Sequence, residues 1–448
     1  MKRVVSILSL VLFVSLFVTP SFAAEKEWTI MVFLNADNNL DSFGVTDQQE
    51  MSKVGSNEWL NIVSLIDREN GPATLNLIEK NKVTPLKEMG ELDMGDYKQL
   101  VSFVKDMTVQ FPAKKYALIV WNHGSGWKNV DSTIIKGISY DDSTGNHITT
   151  AQLTTAMNEI KSHLGRNLDI FSMDACLMQM LEVAYAVRSG ADYMVASEET
   201  EPGDGYPYDK ILEKLTPSMT PAAFTKEMVA AYDASYNGGS QGNSPSTQSC
   251  IDLSKIDGLC DALNGFAKTC ISSSFAPKFK DALVKVQKFY YKTNIDLGHL
   301  VKLLKGTISD EAFLNAAGKL EAALTASIHA NGSNGSTMAN ASGLAIYFPS
   351  ASYGFDKTYN DLAFAQENLW DEMVQDYYVK LTAPAIIADV EGGNVESLIE
   401  YARTANENNR EVTNALIAQL NFRVFAEGGC GVSVQDNVKS IIRELKDK

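Results

Sequence analysis

The stretch "YALIVWNHGSGWKNV", residues 116–130, decides the class of fold. Residues 117–121 are apolar without alternation, and the run breaks only at Asn122 and His123. A strand with one wet face alternates apolar and polar residues, whereas a strand covered on both faces reads as a continuous apolar run. Residues 116–122 therefore read as a buried strand of a mostly parallel sheet. Its tip carries one of only five histidines in the chain, followed by a loop of glycine, serine and tryptophan. Open parallel sheets bind ligands beyond the carboxyl ends of their strands. Ordinary turns begin there too, so the rest of the chain has to decide what His123 does.

The flanking sequence repeats the pattern. "WTIMVFLNA" (28–36), "LNIVSLID" (60–67), "LDIFSMDA" (168–175) and "ADYMVASEE" (191–199) read as further strands. Residues 73–81 and 85–92 read as a hairpin at a sheet edge. Between them, residues 96–111 place Leu100, Phe103, Val104 and Met107 on one helical face, and residues 177–189 read as another helix. Thr149 followed by Gln152 is the signature of a capping box that opens a helix. The class is α/β: a mostly parallel sheet with helices on both faces. Parallel strands would put Asp37, Asp67, His123, Asp174 and Glu198–Glu199 along one rim.

The second half changes character. Two helices are expected between 208 and 237, then the polar loop "YNGGSQGNSPSTQ", then a mainly helical region over about 250–330. "GLAIYFP" (343–349) returns to strand, and 357–380 reads as an amphipathic helix. Residues 381–448 read as a small helical appendage interrupted at Gly392–Gly393 and Gly428–Gly429. The expected organisation is a main domain over 24–380, with the helical subdomain inside it, and a separate tail from 381.

Charge and composition narrow the function. The 448 residues carry a formal net charge of −16, with 45% hydrophobic and 21% charged residues. A surface this acidic argues against nucleic acid or an anionic membrane as the main partner, because both attract basic faces. Lys2 and Arg3 precede an apolar run from Val4 to Val18, and small residues at Ser21 and Ala23 follow. That is the layout of a signal peptide cut after Ala23, too short in its apolar part for a comfortable membrane span. The expectation is a secreted or periplasmic protein without a transmembrane anchor. Five cysteines, Cys176, Cys250, Cys260, Cys270 and Cys430, leave at least one thiol unpaired. The spacing of the middle three matches no common zinc site, and it leaves one disulfide or buried free thiols as alternatives.

Cys176 lies at a strand-to-helix junction two residues after Asp174. A helix N-terminus or a nearby imidazole lowers a thiol pKa and makes a nucleophile of it. Alone, Cys176 reads as a small packed residue and Asp174 as an N-cap. His123 and Cys176 on matching ends of successive strands read as a Cys–His dyad.

"ALIVWNHGSGW", followed roughly fifty residues later by "DIFSMDACLM", resembles the clostripain family of bacterial cysteine peptidases, part of the caspase-like group with legumain and the gingipains. "WTIMVFLNADNNLD" and "GLAIYFP" resemble a first and a late strand of the same family, so the likeness covers roughly residues 27 to 380. The resemblance implies a caspase-like fold, with His123 as general base and acid and Cys176 as nucleophile. It implies an oxyanion hole from the backbone N–H groups of Gly124 and Cys176. It also implies protein or peptide substrates cleaved after Arg or Lys, with Asp174 in the primary pocket and Asp204, from "EETEPGDGYPY", as a second acid. The plain reading of Asp204 is a turn residue between glycines.

Some members of that family cut themselves after the histidine loop. In "STIIKGISYDD" the Lys136–Gly137 bond offers a basic residue of the accepted kind, with Lys128 as the competing position. Parts of the family depend on calcium. "YDDSTGN" (140–146) is acidic but lacks the spacing of an EF-hand and reads as solvated loop. No cofactor is otherwise expected. Two other classes stay open: a catalytically silent caspase-like binding or scaffold protein, and an exported solute-binding protein.

Overall fold

A computed structural model of the protein describes residues 24–127, 137–351, 354–406, 410–426 and 431–446. The expected signal peptide, Lys128, Lys136 and Cys430 lie outside the described residues. Strand β1 (Lys26–Ala36) leads through helix α1 (Asp41–Val54) to β2 (Leu60–Arg68) and the hairpin β3 (Ala73–Glu79) and β4 (Lys82–Gly90). Helix α2 (Tyr97–Gln110) is followed by β5 (Ala113–Trp121), the small ribbon β6 (Ile138–Asp141) and β7 (Asn146–Ile148), and α3 (Thr150–Leu164). Then come β8 (Leu168–Asp174), α4 (Leu181–Val187) and β9 (Ala191–Ala196).

These strands form the body of a nine-stranded sheet. β2, β1, β5, β8 and β9 run parallel in that spatial order, and the β3–β4 hairpin closes one edge antiparallel. The apolar runs supply both faces. From β1, Met31 and Phe33 enter one core while Trp28, Ile30, Val32 and Leu34 enter the other. β5 divides in the same way, Leu118 and Val120 against Ala117, Ile119 and Trp121. The capping box is present: Thr149 Oγ1 accepts from Gln152 N at 3.2 Å, and Gln152 Oε1 accepts from Thr149 N at 2.9 Å.

After β9 come α5 (Tyr208–Leu212) and α6 (Pro221–Tyr236), then a short ribbon of β10 (Asn237–Gly239) and β11 (Gly242–Asn243). The polar loop expected here ends in a strand instead. β12 (Ser246–Asp252) pairs antiparallel with β9, and β14 (Ile328–Asn334) pairs antiparallel with β12 as the far edge. Sequence reading missed β14 because "HANGSN" is polar and carries a glycine, and β12 because "STQS" is polar. Its side chains are buried against partners distant in the chain: Gln179 Nε2 donates to Ser249 Oγ at 2.7 Å, and Thr247 Oγ1 accepts from Glu198 N and Glu199 N, each at 3.0 Å.

Helices α7 (Ile256–Ile271), α8 (Ala276–Lys285), α9 (Leu297–Lys305) and α10 (Glu311–Ser327) fill the expected helical region, interrupted by β13 (Asn294–Asp296). They share one apolar core with α2, α3 and α4. Strand β15 (Ala345–Tyr347), within "GLAIYFP", pairs with β13 and stays outside the main sheet. The expected helix over 357–380 is broken into a 3-10 turn at 357–361, α11 (Ala363–Glu367) and α12 (Trp370–Glu391). Helix α12 runs through position 381, where the tail was expected to begin. Helices α13 (Glu396–Thr404), α14 (Arg410–Leu420) and α15 (Val432–Lys446) complete the chain. Among the described residues no helix is long and apolar enough to cross a membrane.

Candidate active site

The sheet delivers the two candidate groups side by side. β5 and β8 are parallel neighbours with Trp121 level with Asp174, so His123 and Cys176 each stand two residues past the same register pair. Parallel neighbours lie about 4.8 Å apart. The backbones remain close beyond the strands: a Cβ on Gly124 would fall 2.6 Å from the Cys176 carbonyl oxygen and 3.1 Å from Ala175 Cβ. Only a residue without a side chain fits. Gly124→Ala is expected to lower kcat by about 100-fold, because a misplacement of about 1 Å at a reacting centre is that costly. Peptidase assays beside a thermal melt check it: lost activity in a folded protein supports the steric reading.

His123 is half-buried, and its Nε2 lies 2.6 Å from Asn39 Oδ1. An amide oxygen only accepts hydrogen bonds, so the neutral ring carries its proton on Nε2 and Nδ1 is the basic nitrogen. Asn39 sits in the polar loop after β1, and sequence reading gave it no role. Nothing local marks it, since its partner is distant in the chain. Burial holds the His123 pKa below its ordinary value, with Asp142 opposing.

Cys176 is not at the start of a helix. Helix α4 begins at Leu181, and residues 175–180 form an irregular turn. Leu177, next after the cysteine, has φ +65, a left-handed conformation that costs a non-glycine residue about 1–3 kcal/mol. The turn is stapled to the tip of β9, with Leu177 N donating to Glu199 O at 3.1 Å and Gln179 N to Ser197 O at 2.9 Å. The expected helix-end activation of the thiol is therefore absent, and Asp174 is no N-cap. Burial pushes the Cys176 thiol above its usual range; hydrogen bonds from the Glu201 and Cys176 backbone pull it down, and Glu199 and Asp174 push it up. The lowered imidazole and the raised thiol both favour the uncharged forms of His123 and Cys176.

The loop of glycine, serine and tryptophan is an anchor. Trp127 is buried, edge-on to Tyr347 and Tyr359 at centroid distances of 4.6 and 4.7 Å. Where the chain is next described, Gly137 is buried, its N donating to Ser125 Oγ at 3.2 Å and its O accepting from Ser125 N at 3.0 Å.

Beside the thiol, Asp174 closes β8 at 4% exposure. Its Oδ2 accepts from Tyr208 Oη at 2.9 Å and from Tyr206 N at 3.3 Å, and a Cβ on Gly205 would lie 2.9 Å from Oδ1. Burial pushes the Asp174 pKa up to about 6. Asp204 is exposed on the neighbouring loop, its carbonyl accepting from Gln241 Nε2 at 2.8 Å.

The remaining rim carboxylates serve the scaffold. Asp67 Oδ2 accepts from Leu92 N at 3.2 Å, with burial raising its pKa to about 7, and Asp37 Oδ2 accepts from Ser143 N at 3.2 Å. Glu198 Oε2 accepts from Gly343 N, and Glu199 Oε1 from Tyr290 N. In the acidic 140–146 turn Asp141 accepts from Met94 N with Oδ2 and from Thr144 N and Oγ1 with Oδ1. Among the described residues no cluster of three or more His, Cys, Asp or Glu is set to hold a metal. Cys176, Cys250, Cys260 and Cys270 are all free thiols.

A caspase-like α/β sheet carrying an imidazole and a thiol on adjacent parallel tips defines the class of protein. The chain belongs to the clostripain family, whose sequence pattern matches residues 32–378. It is 33% identical over 225 residues to clostripain of Hathewaya histolytica, a match spanning 43% of this chain and 42% of that relative. A secreted C11 cysteine protease from Bacteroides thetaiotaomicron, in complex with an irreversible peptide inhibitor, superposes with a TM-score of 0.61 at 18% identity, over 77% of this chain and 100% of that one. An inactive zymogen C11 protease from Parabacteroides distasonis gives 0.55 at 18% identity, over 77% and 99%. At these identities the two structures bear on the fold alone.

Proposed function

We propose that this protein is an exported cysteine endopeptidase that cleaves after Arg or Lys with a Cys176–His123 dyad. The observation that carries the reading is the pair of in-register strand tips, with the Gly124 backbone packed on Cys176 and a buried carboxyl two residues before the thiol. His123 Nδ1 takes the thiol proton as Sγ attacks the scissile carbonyl, a course that the burial of both groups in their uncharged forms favours. The N–H groups of Gly124 and Cys176 face the oxyanion; the turn at 175–180 rather than a helix end presents the second of them. The tetrahedral adduct expels the amine with the proton held on His123. Water then hydrolyses the thioester with the same residue as base. Asp174 meets the basic side chain of the substrate, and Asp204 stands on the adjoining exposed loop.

The leader over residues 1–23 supports export, and the buried carboxyl of Asp174 beside Cys176 supports the preference for a cation. Self-processing at Lys136–Gly137 belongs to the same reading. The two hydrogen bonds between Gly137 and Ser125 have to open for that bond to enter an active site. Purified wild-type protein is expected to be cut there, read by N-terminal sequencing, and Cys176→Ala protein to stay whole. An identical cut in the variant, free of other proteases, overturns self-processing. The function itself is tested with fluorogenic peptides ending in Arg, Lys, Asp, Asn or Leu. Cleavage confined to Arg and Lys, and absent in Cys176→Ala, is the expected result. A silent wild-type protein would favour the scaffold alternative.

A further inference from the structure

The structure buries more acid beside Cys176 than Asp174 alone. Glu201 joins it from the loop that follows β9. Its backbone N–H faces the Cys176 sulfur, and its carboxyl group contacts the carboxyl of Asp174. Glu201 Oε1 is enclosed by protein and has no hydrogen-bond partner. Asp47, from α1, adds a third buried carboxyl, whose Oδ2 accepts from Trp121 Nε1 at 2.7 Å. No lysine or arginine among the described residues pairs with any of the three. The nearby Lys53 is committed to Glu50 and Asp209.

A second group in the same place lacks a partner. The Tyr232 hydroxyl, on α6, is fully buried without a hydrogen bond, and both Glu201 and Asp174 act on it electrostatically. Enclosing carboxyl groups together with unbonded polar atoms is costly to a folded protein. A cationic ligand would complete this set. Three carboxyls without a cation call for a cationic group of a size that both oxygens can reach.

We propose that Glu201 is a specificity-determining residue of the primary pocket, so that the guanidinium or ammonium group of the substrate seats between the carboxylates of Glu201 and Asp174. This rests on the peptidase reading above and assigns it a residue that sequence reasoning passed over. Two carboxyl groups in contact and out of water cannot both ionise, so the empty pocket retains a proton. Burial, then Asp174, raises the Glu201 pKa. An arriving cation takes the place of that proton, and a bidentate guanidinium satisfies the oxygen now left unbonded. The same residue holds its N–H against the nucleophile, so filling the pocket and placing the scissile bond are coupled through one short loop.

The test uses full-length, self-processed protein and two peptide amides differing only in Arg against citrulline, an uncharged analogue of similar shape. Wild-type, Glu201→Gln and Glu201→Asp are compared by kcat/KM. Glu201→Gln is expected to reduce the Arg-over-citrulline preference at least about tenfold, mainly through KM, while alkylation of Cys176 by iodoacetamide keeps its rate. Glu201→Asp, which retains charge one methylene shorter, is expected to fall between them and serves if the Gln variant does not fold. Preference within about twofold of wild type in both variants would overturn the assignment. That outcome, with wild type still cleaving after Arg and Cys176→Ala inert, overturns the role of Glu201 alone. Wild-type protein that never cleaves after Arg overturns the function and this inference together.

Discussion

Cys176→Ala is expected to lower the rate of cleavage of an Arg-terminated fluorogenic peptide by at least about 10^4-fold, because removing a covalent nucleophile deletes the whole acyl-enzyme route. His123→Ala is expected to be less complete, since general base catalysis contributes about 10^2- to 10^4-fold and the thiol can ionise unaided at high pH. The structure sharpens this second case. With the Cys176 thiol raised by burial, little thiolate exists at neutral pH, so the variant should recover activity only as the medium becomes alkaline. Asn39→Ala should lie between wild type and His123→Ala, because the ring loses the acceptor that fixes Nε2 as the protonated nitrogen. Single-turnover assays across pH, with thermal melts to exclude unfolding, measure all three. Unchanged activity in Cys176→Ala would end the reading.

Asp174→Asn is the second large effect. If Asp174 meets the substrate cation as proposed, removing that buried carboxylate costs about 3–5 kcal/mol, so kcat/KM for Arg substrates should drop at least about 100-fold while citrulline substrates change little. The wild-type pocket carries a matching pH signature. Burial lifts Asp174 to about 6, so protons compete with the cation below that value. In the Cys176→Ala background, affinity for benzamidine should therefore rise as pH climbs through about 6. It should keep rising where Glu201 and Asp47, raised further by burial and by Asp174, ionise. The other groups facing the pocket are Tyr206, Tyr208, Tyr232 and Tyr236, which burial keeps protonated, and Asp204 and Glu50. Calorimetry at several pH values reads this, and a flat profile contradicts it.

The sequence was informative where structure is a local matter. The apolar run 117–121 could be buried only on both faces, and that specified a parallel sheet before any partner strand was known. Thr149 and Gln152 satisfy each other's backbone within one turn, so the start of α3 was legible from four residues. His123 and Cys176 followed the same logic, since a strand end and its polar successor are visible in the chain.

What the sequence hid depends on partners far along the chain. β12 looks like a loop because its buried polar side chains find their donors and acceptors in residues 179, 197–199 and 343. The segment after Cys176 has helical composition, yet backbone bonds to Ser197 and Glu199 hold it as a turn until Leu181. Asn39 and Glu201 carry no local mark of any kind, and each meets its partner, His123 or Asp174, only when the fold brings that distant residue against it. The tips that carry His123 and Cys176 and the cap of α3 were thus set by short-range periodicity and local hydrogen bonding. The shape of the turn that carries the thiol, the tautomer of the imidazole and the burial of Asp174 were decided by packing, because burial and long-range hydrogen bonds set the energies of those groups.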